Sequence, residues 1–375
     1  MNYYQHSTQR IELGGEDLIV YSKPGMVAWN DVAAAHMLLA EDTDFAPGMR
    51  ALVLESPALA IYLARMGAEA HLYADSLISL RMAKLMADLN KVTLNIHEAA
   101  YPADANHYDV AFMLNPKGRA YASLLITAAQ RALKPGGRLF FCGAKAEGAQ
   151  AIATDAGDIF ATAPITVRVK AHQRLSAVRK HDDAGTPQPL PQPAAFDCEG
   201  LTCYTLPGVF SREGVDAGTA MLLSTLDESA CAGKRVLDVG CGSGVLGMLA
   251  AKCGAAQVEL SDVSLLALDC ARQGVNTNGL DAVCVVIASD LYSALADDAR
   301  YDLILSNPPF HAGHSVDTAA AEALIGGARE RLAQGGALRL VANRFLAYNK
   351  VMQKVFSKVN VVTEDTRYWV LEGCG

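Results

Sequence analysis

No apolar run in the 375 residues reaches the roughly 18 needed to cross a bilayer, which excludes a membrane span of the usual helical kind. The opening residues, Met1-Asn-Tyr-Tyr-Gln-His, lack the basic-then-apolar order of a secretory leader, so the expected address is cytoplasmic with no membrane partner. There is no C-x-x-C pair: nine cysteines are scattered, several inside apparent helices or strands, as Cys253, Cys270 and Cys284 are. They read as small reduced core residues, not as a disulfide frame or a zinc site, and no metal is expected. A surplus of positive charge is missing too, since the net charge of −8 argues against nonspecific coating of nucleic acid. It leaves room for a site-specific RNA enzyme whose basic surface is local. What is present is a hydrophobic fraction of 51% with 19% charged residues, ordinary for well-filled α/β cores, in a chain long enough for two or three domains.

The rest of the chain is organised around Arg235-Val-Leu-Asp-Val-Gly-Cys-Gly-Ser-Gly-Val-Leu-Gly247, a buried strand, a glycine-rich turn and the start of a helix. Val236, Leu237 and Val239 form a short apolar run with two β-branched valines, and Gly240, Gly242 and Gly244 let the backbone turn against a ligand that a Cβ would push away. Asp238 sits at the strand's carboxyl end, where open α/β sheets hold ligands. The glycines alone are ambiguous. Gly242, Gly244 and Gly247 also match the dinucleotide pattern G-x-G-x-x-G, and a tight turn without any ligand is a further reading.

Taken in order, the chain reads as an internal duplication. Strand and helix alternate from Ala51-Leu-Val-Leu-Glu-Ser, through Ala70-His-Leu-Tyr-Ala-Asp75 and Thr93-Leu-Asn-Ile, to His107-Tyr-Asp-Val-Ala-Phe-Met-Leu-Asn-Pro116, the pattern of a parallel sheet. Tyr108 to Lys117 lines up with Tyr301 to Phe310, Leu133 to Phe141 with Leu332 to Leu340, and Asp75 with Asp262. The expectation is two tandem doubly wound Rossmann-like domains, 1–185 and 198–375, joined by a proline-rich linker over 186–197. The first copy has Glu55-Ser-Pro-Ala-Leu-Ala60 where the second has its glycine turn, so it is expected to bind no cofactor and to serve as scaffold or docking domain. The basic stretch from Val167 to Arg174 and on to His181 reads either as a phosphate contact or as a solvated strand face.

The second copy carries the chemistry. Asp262 lies about 20 residues beyond the glycines, where a carboxylate takes a ribose hydroxyl pair, and Asp290 ends a third strand, placed to accept from an adenine amine. Three carboxylates at successive strand ends outline an adenosine with an amino-acid tail. The fourth strand ends in Ser306-Asn-Pro-Pro-Phe-His311. Prolines offer no N–H and fix φ, so the turn is rigid with its carbonyls free to accept. Asn307 and the Pro308 carbonyl can together hold both hydrogens of a planar exocyclic amine while Phe310 stacks on its ring. Upstream, Leu206 to Leu223 is a loop running into a helix with Asp216 as a plausible cap, and Phe210 and Arg212 are lid residues or, equally, packing and surface.

The glycine turn with Asp262, Asp290 and Asn307-Pro-Pro-Phe310 resembles class I S-adenosylmethionine-dependent methyltransferases that modify exocyclic nitrogens. The duplicated architecture, with Pro207-Gly-Val-Phe-Ser-Arg-Glu-Gly-Val-Asp-Ala-Gly218 and Asn307-Pro-Pro-Phe-His-Ala-Gly313, is similar to bacterial ribosomal RNA guanine-N2 methyltransferases of the small-subunit (16S) type. The resemblance covers the chain after about Cys198 in motif and the earlier part in fold. It implies that S-adenosylmethionine meets Asp238, Val239, Gly240, Cys241, Gly242, Gly244, Asp262, Val263, Ser289, Asp290 and Asn307, and that Asn307, Pro308 and Phe310 carry catalysis. Phe210, Arg212 and His311 become substrate contacts, with His311 catalytic or merely orienting its loop and His314 a weaker candidate. It further implies an antiparallel strand pair at the sheet edge from Val359-Asn-Val-Val-Thr363 and Thr366-Arg-Tyr-Trp-Val-Leu371, and ribosomal RNA or an assembling small subunit as partner; the sequence does not give the oligomeric state, for which a monomer is the expectation. Rival readings are a 23S guanine, an adenine N6, a protein glutamine amide, or a noncatalytic assembly factor made of two inactive copies.

Overall fold

The computed structural model describes residues 3–26, 29–183, 188–211, 214–308 and 318–375. The chain divides into two compact units: Gln5–Pro191 forms one, and Tyr3 and Tyr4 join Gln192–Gly375 in the other. Two details differ from the expected boundaries. The first two described residues belong to the second unit, and the expected linker over 186–197 ends inside a strand that starts at Ala194.

The first unit opens with the hairpin β1 (Ser7–Leu13) and β2 (Glu16–Ser22), followed by α1 (Trp29–Glu41), β3 (Arg50–Leu54), α2 (Pro57–Arg65), β4 (Glu69–Tyr73) and α3 (Leu77–Asn90). Then come β5 (Asn95–His97), β6 (Tyr108–Leu114), α4 (Arg119–Ala132), β7 (Leu133–Ala144), α5 (Ala149–Phe160), β8 (Ile165–Lys170) and β9 (Gln173–Arg179). The second unit has the hairpin β10 (Ala194–Cys198) and β11 (Leu201–Thr205), then α6 (Ala217–Leu223), α7 (Glu228–Cys231), β12 (Arg235–Val239), α8 (Val245–Lys252), β13 (Gln257–Asp262) and α9 (Leu265–Thr277). It closes with β14 (Cys284–Ala288), β15 (Tyr301–Ser306), α10 (Thr318–Arg331), β16 (Leu332–Asn343), α11 (Tyr348–Val355), β17 (Lys358–Glu364) and β18 (Tyr368–Cys374).

Each unit holds one seven-stranded sheet, in the orders β5-β4-β3-β6-β7-β9-β8 and β14-β13-β12-β15-β16-β18-β17. The first five strands of each order are parallel and the last two antiparallel. Both units are thus the doubly wound, Rossmann-like α/β fold that the resemblance implies. The antiparallel edge, expected for the second copy alone, is a property of both. The central strands β3 and β12 are buried past their first residue, as strands covered by helices on both faces must be.

The two sheets share one register. The backbone N–H of Arg50 donates to Asp109 Oδ2 and that of Arg235 to Asp302 Oδ2, while Leu54 pairs with Tyr73 and Val239 with Ser261. Ser76 and Ser264 then cap α3 and α9, each three residues past the paired Tyr73 or Ser261. This register corrects one expected correspondence: Ala74, not Asp75, lies at the position of Asp262, and Asp75 matches Val263. At the glycine turn, Glu55 takes the position of Gly240, with φ 61° against 71°. Two residues, 55–56, join β3 to α2, whereas five, 240–244, join β12 to α8. The Glu55 carboxylate accepts from the Asp75 N–H at 2.8 Å and from Tyr121 Oη at 2.7 Å, so the first copy fills the place of a cradle with its own side chain. Burial holds that carboxyl above its ordinary range.

The basic stretch forms the exposed outer strand β8 and its neighbour β9. Arg168 pairs with Asp42, Arg174 donates to Thr166 Oγ1, and buried Lys180 donates to the Leu133 carbonyl and Asn106 Oδ1. Arg168, Arg174 and Lys180 thus have protein partners. No described helix is long and apolar enough to cross a membrane.

Candidate functional site: the carboxyl ends of β12 to β15

The second unit's four strands β12, β13, β14 and β15 point their carboxyl ends to one rim. Short cross-links tie the ends together: Gly240 N and Cys241 N donate to the Ser261 carbonyl, Ser289 N donates to the Asp262 carbonyl, and Ser306 Oγ donates to the Val239 carbonyl. The rim is therefore a fixed frame on which side chains are displayed.

Asp238 is fully buried beneath the turn. Its Oδ2 accepts from Gly247 N at 2.9 Å, while Oδ1, also buried, has no hydrogen-bond partner among the described residues. Desolvation pushes its carboxyl up to about 7, with the neighbouring Asp262 charge acting in the same direction and the Gly247 N–H opposing. A buried polar atom without a partner is costly unless a ligand supplies one. A cationic group is what a carboxylate oxygen in that position would stabilise.

The turn itself runs through left-handed backbone at Gly240, Gly242 and Gly244. A Cβ on Gly240 or Gly242 would meet nothing within 4 Å, so these two present bare backbone to open space. Gly244 faces inward, where a Cβ would come within 2.9 Å of Leu260 Cδ2 and 3.1 Å of Ala271 Cβ. Asp262 fastens the turn to β13: its two oxygens accept from Gly242 N at 2.8 Å and Ser264 N at 2.9 Å. Burial raises this carboxyl, and those N–H groups with that of Val263 hold it down. Cys241 is buried and its thiol is pushed well above its ordinary value, first by burial and then by the nearby carboxylates, so backbone contact remains its only evident use. Ser289 is occupied with the turn after β14, donating to the Leu291 carbonyl and accepting from Ala294 N.

Asp290 is buried, and its Oδ1 accepts from the hydroxyl of Tyr3 at 2.7 Å. Sequence reasoning missed Tyr3, because no periodicity links residues 287 positions apart. At the end of β15, Asn307 Nδ2 donates to Thr219 Oγ1 at 2.7 Å and to Asp216 Oδ2 at 3.3 Å, and its Oδ1 is buried without a partner among the described residues. Asp216 is the cap of α6, as expected, accepting from Gly218 N and Thr219 N. Its link to Asn307 was not foreseen. Pro308 is buried beside it, whereas Phe210 is 63% exposed in the loop before α6. Arg212, Phe310, His311 and His314 lie outside the described residues.

These features fit S-adenosylmethionine. An acidic atom seeks a cation at Asp238, bare glycine backbone lines the turn, and carboxylates stand at the next two strand ends. The Asn307 carbonyl, unpartnered among the described residues, adds an acceptor at the end of the neighbouring strand.

Comparison with known proteins gives concordant results. The family profile described as Methyltransferase small domain matches residues 200–372. Ribosomal RNA small subunit methyltransferase C of Salmonella choleraesuis is 45% identical over 178 residues, 47% of this chain and 50% of that protein. The Enterobacter sp. protein of the same name is 44% identical over 176 residues, 47% and 50% of the two chains. The chain thus spans about half the length of these curated relatives. A solved structure, "T. Thermophilus 16S rRNA N2 G1207 methyltransferase (RsmC) in complex with AdoMet and Guanosine", aligns over 100% of this chain and 98% of its own, at 30% identity and a TM-score of 0.81.

Proposed function

The chain belongs to the ribosomal RNA small subunit methyltransferase C family, and on that premise we propose that it methylates the exocyclic N2 of a guanine in 16S ribosomal RNA. The observation that carries the reading is the buried Asn307 carbonyl just past the end of β15, the strand beside Asp238, which has no partner among the described residues. An acceptor there suits an amine, and the relative of known structure was solved with AdoMet and guanosine.

S-adenosylmethionine supplies a methyl group on a positively charged sulfur. In this reading Asp238 Oδ1 takes its ammonium group, the Gly240–Gly244 backbone meets the amino-acid tail, Asp262 the ribose and Asp290 the adenine. Val239, Cys241 and Val263 line the same path through their backbones. Asn307 Oδ1 and the Pro308 carbonyl accept the two hydrogens of guanine N2. Both acceptors draw the amine's lone pair out of conjugation and aim it, and positioning of this kind can supply on the order of 7 to 11 kcal/mol at best. No strong base is needed: methyl transfer would release S-adenosylhomocysteine, and the nitrogen, acidic once methylated, would lose its proton to water while Asn307 Oδ1 keeps a hydrogen bond to it. Phe310 stacks on the guanine, and Phe210, Arg212 and His311 contact the RNA around it. If the guanine is paired, its extrusion costs a few kcal/mol, which stacking offsets.

The first unit is a scaffold or RNA-docking domain in this scheme, a role supported by Glu55 occupying its cradle. We assign the enzyme's action to the cytoplasm as a single chain on naked RNA or an assembling particle, consistent with nine free thiols. The test is methyl transfer to 16S RNA and small-subunit particles, with the modified base mapped by mass spectrometry. N2-methylguanine is expected with the wild type, and Asn307→Ala should lose at least a hundredfold in kcat while keeping cofactor affinity within a few-fold. Methyl transfer to adenine or to protein, or full activity of the variant, would refute it.

A further inference from the structure

The Asn307 side chain can present either end of its amide to a substrate, and only the carbonyl end suits an amine. Asp216 and Thr219 remove the choice. Thr219 Oγ1 donates to Asp216 Oδ2 at 2.5 Å, so its remaining capacity is to accept, and it accepts from Asn307 Nδ2 at 2.7 Å. Asp216 Oδ2, a carboxylate oxygen with nothing to donate, faces the same Nδ2 at 3.3 Å. Rotating the amide by half a turn would set Asn307 Oδ1 against two acceptors and break both bonds. Losing a neutral and a charge-assisted hydrogen bond disfavours that state on the order of a hundredfold.

We infer that Asp216 and Thr219 are positioning residues that lock the Asn307 amide with its carbonyl toward the substrate, so that the site takes an amine and rejects a carbonyl or hydroxyl in the same place. This deepens the proposed reaction and rests on it. The lock is itself braced. Asp216 Oδ1 accepts from Gly218 N at 2.9 Å and from Thr219 N, which fixes the carboxylate to the start of α6. Gly218 sits tightly between that carboxylate and the Tyr368 ring of β18: a Cβ there would lie 3.1 Å from Asp216 Oδ1 and 3.5 Å from the ring. In the first unit the shared register puts Leu114 at the position of Asn307, and the amide there, Asn115, lies one residue further on.

The test compares wild type with Thr219→Val, which keeps the shape and removes the hydroxyl, and Thr219→Ser, which keeps the hydroxyl. Guanosine and inosine, which lacks the amine, are titrated into cofactor-loaded protein, and the Asn307 side-chain amide protons are followed by NMR in the cofactor-free protein. Wild type should prefer guanosine about tenfold or more, with protected amide protons. Thr219→Val should bring the two ligands within about threefold, lose the protection and lower kcat about tenfold or more at unchanged cofactor KM, and Thr219→Ser should restore all three. An unchanged guanosine preference in Thr219→Val, or a parallel loss of cofactor and both nucleosides, would overturn the assignment. Wild type that ignores guanosine while its amide protons stay protected would sink the guanine reading and leave the lock; unprotected protons in wild type would sink the lock itself.

Discussion

Asp238 is the residue at which the molecule's pH behaviour concentrates. Its buried carboxyl titrates near 7 in the folded cofactor-free protein, against about 4 for an exposed aspartate. The folded state therefore holds a proton that the unfolded chain releases between those values. The resulting stability is fully present below about pH 4 and is lost as pH rises through 7, a change of a few kcal/mol. Urea unfolding of the cofactor-free protein should show this decline, and Asp238→Asn should flatten it. A cation at Oδ1 needs the ionised form, so cofactor affinity should tighten about tenfold per pH unit up to about 7 and level off above; an affinity flat from pH 5 to 8 would remove Asp238 from the site. Among single residues, Asp238, Asp262, Asp290 and Asn307 were legible because strand ends are readable from sequence. Tyr3 and the contacts of Asp216 and Thr219 with Asn307 were not, since they join residues far apart in the chain through geometry that only the fold creates.

At the scale of elements, the glycine turn between β12 and α8 is the connection in which the two units differ most clearly in residue type. Gly244 needs its left-handed φ of 83° and has no room for a Cβ against Leu260 and Ala271. Gly244→Ala should destabilise the protein by about 1 to 3 kcal/mol and weaken cofactor binding, measured by denaturation and titration on the same sample. A stable, fully binding variant would mean the turn adjusts freely. The alternation of strands and helices was readable from hydrophobic runs, and so was the duplication. The one-residue offset at Asp75 was not, because a local sequence match cannot see which strand residues pair; the serine caps of α3 and α9 fix that register. The outer strand β8 is exposed along its length and carries no apolar signature, so only its charge marked it in the sequence.

Over the whole molecule, one fold occurs twice and only one copy keeps a cradle. The first unit joins β3 to α2 through two residues and β6 to α4 through four, 115–118. The second spends five residues, 240–244, and eleven, 307–317, on the same connections. The two copies thus differ in loop length as well as in residue type, and of these the missing glycines were visible in the sequence. The most direct measurement is calorimetric titration of S-adenosylmethionine into the full chain and into Asp262→Ala. One site per chain, lost or greatly weakened in the variant, is the expected result. Two sites, or one that survives in Asp262→Ala, would contradict a single cradle at the carboxyl ends of β12 to β15.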